Sequence, residues 1–83
     1  MPSSTDRLRE ARLVRLAALL KAERERRGWS LSKVAELSGL DHTMILRVEN
    51  RERTPTIDTL WRIADALEVD LWKLIRAAEN PAD

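Results

Sequence analysis

Cysteine, phenylalanine and tyrosine are absent from this chain, and its 83 residues include only two glycines, three prolines and one histidine. Without cysteine, disulfides and thiolate metal ligation are excluded, so stability must come from packing, alone or with a partner subunit. One histidine and no cysteine leave no zinc site. The same shortages argue against an enzyme. There is no nucleophilic thiol, no Ser/His/Asp spacing and no Gly-rich phosphate loop, and a lone histidine with nothing to orient it is not a catalytic centre. No metal or cofactor is implied. No apolar run approaches the ~20 residues that a membrane span needs, so no membrane role is expected. The start, "MPSSTDRLREAR", has neither a signal-peptide core nor a small-residue cleavage site, which makes the cytoplasm the expected compartment.

Charge is present in quantity but nearly cancels, to +1. Its distribution is more informative. Residues 1–28 carry eight basic and four acidic side chains, residues 29–55 four of each, and residues 56–83 three basic and six acidic. A basic first part and an acidic last part make a dipolar domain with one face suited to phosphate. A solvated charged surface has the same composition, so charge alone does not decide.

The sparse punctuation sets out an all-α chain. Helix 1 is expected from about Asp6 to Arg27, capped by Ser3, Ser4 or Thr5, with Leu13, Leu16, Ala17 and Leu20 as its apolar stripe and Gly28 as its stop. Helix 2 follows Ser30 and carries Leu31, Val34, Ala35 and Leu37; Gly39 closes it. Helix 3 spans about His42 to Asn50 behind an Asp41 cap. Thr56 caps helix 4, whose stripe is Ile57, Leu60, Ile63, Ala64 and Leu67. Asp70 caps helix 5, which runs from Leu71 to about Glu79 and stops at Asn80-Pro81. One domain is expected over residues 6–79, with frayed ends at 1–5 and 80–83.

Two short helices joined by a Gly-containing turn form a helix-turn-helix arrangement, in which the second helix enters the DNA major groove. That groove is about 12 Å wide and accepts one helix, so the helix must be held by its back while its front stays free. At about 100° per residue, Ile45 and Val48 form a back only two aliphatic residues wide, with Glu49 near it. Thr43, Leu46, Arg47 and Asn50 lie opposite, and His42, Met44 and Arg51 flank.

The segment "RERRGWSLSKVAELSGLDHTMILRVENRERTPTIDTLWRIADALEVDLWKL" resembles the Cro/repressor-type, or Xre-type, helix-turn-helix proteins of bacteria and phages. The likeness runs from about Leu20 to Ile75. It implies a compact five-helix, lambda-repressor-like domain that binds double-stranded DNA. Val34-Ala35 matches the packing pair of helix 2, Gly39-Leu40 the turn, and Ile45, Val48 and Glu49 the back of the recognition helix. It also implies a partly buried ion pair between Arg24 and Glu49, since an arginine fork can satisfy an inward-facing carboxylate. The chain departs from the pattern in two places. Leu31 stands where glutamine is common, so the phosphate contact there must come from Ser30, Ser32, Lys33 or backbone N–H groups. Arg51 stands where glycine is common, and it enters φ > 0 less easily.

On this reading His42, Thr43, Leu46, Arg47 and Asn50 face base edges, with Arg47 the best match to guanine or phosphate through its fork. Asn50 has a second reading, as a helix cap. Leu46 has two readings as well: contact with thymine methyls, or a single tolerated surface leucine. Ser30, Ser32, Lys33, Arg51 and Arg53 are expected on phosphates, positioning without specifying. Trp61, Leu71, Trp72 and Ile75 are expected to form a homodimer contact, since tryptophan is enriched at interfaces and a dimer suits a palindromic site. The function expected is a sequence-specific transcriptional regulator, a repressor or autoregulator. The alternative is a protein-interaction module or antitoxin-type protein that grips a protein partner.

Overall fold

The computed structural model describes residues 3–80. Five helices follow one another: α1 (Ser4–Arg26), α2 (Leu31–Ser38), α3 (His42–Glu49), α4 (Ile57–Ala66) and α5 (Leu71–Glu79). There is no strand among the described residues. Of the ends expected to fray, residues 1–2 and 81–83 lie outside the described residues.

The first helix starts at Ser4, two residues before the expected Asp6. Ser3 is the N-cap: its Oγ accepts from the Asp6 N–H at 3.1 Å, and the Asp6 carboxylate accepts from the Ser3 N–H at 3.3 Å. This reciprocal capping box satisfies two of the unpaired donors of a helix start. At the other end, Gly28 takes φ 68° and donates to the Glu25 carbonyl, while Trp29 donates to that of Arg24. Those two bonds are a Schellman closure, which needs a left-handed residue. The same closure ends α3 at Arg51 (φ 59°) and α4 at Glu68 (φ 58°). Neither is glycine, so each bears the Cβ–carbonyl crowding of that conformation.

Leu16, Leu20, Val34, Ile45, Val48, Leu60, Ile63, Leu67, Leu71 and Leu74 are the large members of one shared core. Burying an aliphatic side chain of this kind contributes roughly 1.5–3 kcal/mol, and all five helices supply at least one. The first helix also packs along α5, where the Arg15 Nε donates to the Ala78 carbonyl at 2.6 Å and so satisfies an end of that helix.

Three expectations are corrected, two about inward-facing residues and one about a cap. Leu37 is exposed, and Ser38 takes the buried place beside Val34 and Ala35. Ser38 can be buried because its Oγ donates to the Ala35 carbonyl and accepts from the Leu40 N–H. Ile57 is exposed because it opens α4, and the buried stripe begins at Leu60. Asp70 occupies the N-cap position of α5 but accepts no backbone N–H with its side chain; its carboxylate lies 3.5 Å from the Lys73 Nζ. No helix among the described residues is long and apolar enough to cross a membrane.

Candidate nucleic-acid interface

The third helix is gripped from behind. Ile45 and Val48 are fully buried, and Met44 packs partly against the same core. Beside them the Arg24 Nε and Nη2 donate to the two Glu49 carboxylate oxygens at 2.7 and 2.9 Å. The Glu49 side chain is 4% exposed and that of Arg24 14%. The remaining Arg24 nitrogen, Nη1, donates to the Trp29 carbonyl at 2.9 Å. One guanidinium thus joins the end of α1, the turn before α2 and the end of α3. The Glu49 hydrogen bonds push the Arg24 guanidinium pKa still further up.

Its start is closed by short-range bonds. Asp41 is the N-cap, accepting the Thr43 N–H at 2.8 Å. That backbone bond holds the Asp41 carboxyl below its ordinary value. Before it, Gly39 turns the chain at φ 73°. A Cβ at Gly39 would meet nothing nearer than 3.7 Å, so backbone conformation and not space calls for glycine there.

The front of α3 stays open. His42, Leu46, Arg47 and Asn50 are exposed and Thr43 is half-buried. Asn50 sits at the C-cap position, where its backbone N–H closes the helix. Arg47 makes no ion pair or side-chain hydrogen bond among the described residues, and the same holds for Arg53. Lys33 lies over the Trp29 ring at 5.8 Å, and Arg27 is also 5.8 Å from the ring. At the start of α2 the Ser30 Oγ accepts the Lys33 N–H, which leaves the N–H groups of Leu31 and Ser32 pointing out of a positive helix end. Ser32 is exposed beside them.

Arg51 is the exception among the cations expected to face phosphate. Its Nη2 donates to the Glu10 carboxylate at 2.8 Å and its Nε is buried. The left-handed turn at Arg51 aims its side chain back at α1, so Arg51 braces the turn after α3 instead of joining the open face. Glu10 was not singled out by sequence reasoning, because 41 residues separate it from its partner and no local pattern connects them. The Arg24 bond to the Trp29 carbonyl was missed for a related reason, since backbone acceptors leave no mark in residue types.

A second exposed feature lies on α4 and α5. Trp61 is 55% exposed and Trp72 58%. With Ile57 they border an open groove of about 340 Å³, with Val69, Leu71 and Ile75 along it and Asp65 and Asp70 also lining it. Leu71 is buried in the core and Ile75 half-buried, so of the four residues expected at a dimer contact only the two tryptophans stand fully outward.

A helix docked by a narrow back, preceded by a capped helix and a glycine turn, with its front free for hydrogen bonding, defines a helix-turn-helix DNA-binding domain. Residues 20–71 match the helix-turn-helix family. The chain is 46% identical over 54 residues to the HTH-type transcriptional regulator SutR of Escherichia coli (strain K12), an alignment covering 65% of this chain and 30% of that protein. It therefore spans about a third of that relative's length. The fold is similar to that of the restriction-modification controller protein C.AhdI from Aeromonas hydrophila, with a TM-score of 0.71 and 31% identity over 75% of this chain and 94% of that one. It is also similar to the hypothetical transcription factor NHTF from Neisseria, with a TM-score of 0.71 and 29% identity over 82% and 75% of the two chains. The chain belongs to the Xre-type helix-turn-helix family of DNA-binding transcriptional regulators. The family is a regulator's DNA-binding domain and not an enzyme.

Proposed function

We propose that this chain binds a palindromic duplex operator as a homodimer in the cytoplasm, with α3 in the major groove, and acts as a repressor or autoregulator. The observation that supports it most is the two-sided character of α3: a back locked by Ile45, Val48 and the Arg24–Glu49 pair, and an open, largely polar front. In this reading His42, Thr43, Leu46, Arg47 and Asn50 face base edges. Lys33, Arg53, Ser30, Ser32 and the free N–H groups of α2 hold phosphates. Arg51 is left out of the contact set because Glu10 engages it.

The exposed tryptophans supply the dimer contact. Solvent-facing indoles beside an apolar groove are an unusual outlay for an isolated domain of this size. A two-fold contact would let each subunit place Trp61 and Trp72 against the other's groove. The two α3 helices would then address half-sites about one helical turn, ~34 Å, apart.

Selection from random duplexes tests both parts. Recovery of a two-fold symmetric sequence is the expected result, with affinity falling steeply as salt is raised through counterion release. Enrichment of nothing, or salt-independent capture of a protein through the tryptophan groove, would favour the protein-interaction alternative.

A further inference from the structure

Around the front of α3, at about 100° per residue, the order of side chains is His42, Leu46, Asn50, Thr43 and Arg47. Four of the five are hydrogen-bonding or charged. Leu46 is the apolar exception, and it is 39% exposed. It is not spilling out of the core: Ile45 and Val48 already fill the back, and Met44 packs on the far side. It is also not an extension of the groove formed by Trp61 and Trp72, since the residues lining that groove come from α4, α5 and the turn between them. An isobutyl group set among hydrogen-bonding neighbours on this face suits an apolar partner on the ligand's side. The major groove presents one apolar group at base edges, the methyl on C5 of thymine, and 5-methylcytosine places the same methyl at the same position.

We propose that Leu46 is a specificity residue for the C5-methyl group of a pyrimidine, beside the base that Arg47 contacts. This rests on the reading of α3 as the recognition helix. The cation and the leucine flank the Thr43–Asn50 ridge on opposite sides, so the two contacts fall on neighbouring steps of the duplex. The apolar contact adds no charge, so it contributes discrimination without adding to salt dependence.

The test starts from a duplex recovered by selection. Each thymine is replaced in turn by deoxyuridine, which removes only the methyl. The expected result is one position per half-site at which wild-type binding weakens about fourfold, the worth of one buried methyl. In Leu46→Ala, and in Leu46→Gln, which keeps the side-chain length, that ratio should fall to one. Thr43→Ser, which removes the other methyl on this face, should keep the ratio whatever it does to overall affinity. A 5-methylcytosine pair compared with an unmethylated cytosine pair at the same position separates the sources. A gain on methylation means that Leu46 reads the methyl on either base, and no gain confines it to thymine. If no deoxyuridine weakens binding, or the ratio persists without Leu46 or vanishes in Thr43→Ser, the inference is overturned while DNA binding stands. If no duplex is enriched at all, the recognition-helix reading fails first and this inference falls with it.

Discussion

Removing Arg24 should unfold the grip on α3 before it touches anything that faces DNA. The Glu49 carboxylate is 4% exposed and both of its oxygens are held by Arg24. Truncating the arginine leaves a buried charge without a partner, which costs roughly 3–5 kcal/mol. It also frees the Trp29 carbonyl from the Nη1 donor, for about another 1 kcal/mol. A domain of this length has a total stability of about 4–12 kcal/mol, so Arg24→Met alone should remove a third or more of it. Glu49→Gln is milder, roughly 1–3 kcal/mol, because one oxygen still accepts while an amide now faces a guanidinium donor. The double variant Arg24→Met/Glu49→Leu replaces the pair by apolar groups, and a swap of that kind is often close to neutral.

The decisive quantity is the coupling between the two sites, from urea unfolding of wild type, Arg24→Met, Glu49→Leu and the double variant. We expect a coupling of at least about 3 kcal/mol, the uncompensated-charge cost that the double variant removes, with m-values equal across the four proteins. A coupling below about 0.5 kcal/mol, the range of exposed surface pairs, would refute the reasoning: the pair would then be a solvated contact and α3 would be held by Ile45 and Val48 alone. DNA affinity of the double variant adds a second reading. If the pair's role is to hold the angle of α3, the double variant should be nearly as stable as wild type yet discriminate less between operator and random duplex.

Other outcomes follow from single positions. Arg47→Ala should relax specificity at one base pair and cost roughly 1–3 kcal/mol, whereas Lys33→Ala should weaken all duplexes about equally and reduce the salt slope by about one; competition titrations at several salt concentrations separate the two. Trp61→Ala and Trp72→Ala should leave the melting temperature of the monomer nearly unchanged, since both rings are mostly exposed, while light scattering at tens of micromolar shows loss of the dimer. Glu68→Gly relieves a left-handed backbone at φ 58° and should stabilise by up to about 1 kcal/mol. Arg51→Gly gains the same relief but loses the Glu10 contact, so thermal unfolding should show a smaller gain or none. Acid should weaken the fold in a defined window. Asp6 and Asp41 accept backbone N–H groups and Glu23 accepts from Arg27 and Arg26, so all three carboxyls sit below their ordinary values of 3.8 and 4.5. A lowered folded pKa means stabilisation that is complete above the ordinary carboxylate range and lost as pH falls through and below it. Asp41→Asn should flatten part of that decline in a pH series of melting temperatures.

How far these features could be read from residue order depends on the distance over which each one acts. Ser3, Ser30, Asp41 and Thr56 cap helices through bonds to residues two or three positions on, and such bonds are legible because side-chain type and spacing define them. The glycine stops are legible for the same reason. Asp70 misled because its carboxylate lies by Lys73 and not on a backbone N–H. Leu37 and Ile57 misled because α2 and α4 are only eight and ten residues long. With two or three turns, an apolar residue at a helix edge satisfies the period as well as a core residue does, and only packing decides. Left-handed Glu68 was illegible in another way: its conformation is imposed by the closure of the preceding helix, whatever side chain occupies the position, and at Arg51 the same conformation was signalled only by the glycine common there in similar proteins. The Arg24–Glu49 pair came from likeness to other proteins, and nothing local connects residues 25 positions apart. Glu10 and Arg51 lacked even that aid.

The division has a consequence for how the site is built. What reads locally, the caps and turns, sets where α2 and α3 begin and end. What does not read locally, the Arg24–Glu49 and Glu10–Arg51 pairs, sets how α3 is held against α1. Both pairs originate on α1, and both end within three residues of one another at the C-terminal end of α3. The N-terminal end of α3 has no long-range ion pair among the described residues: Asp41 and the turn at Gly39 close it locally, and Leu40, Met44 and Ile45 pack it on the core. If α3 enters the major groove, its His42 end is therefore the more adjustable and its Asn50 end the more rigid. Sequence discrimination at positions contacted by Arg47 and Asn50 should then be strict, and at those contacted by His42 tolerant. The information content along each selected half-site tests this directly: a uniform profile, or one strictest at the His42 end, would mean that the ion pairs stabilise the fold without ordering the readout.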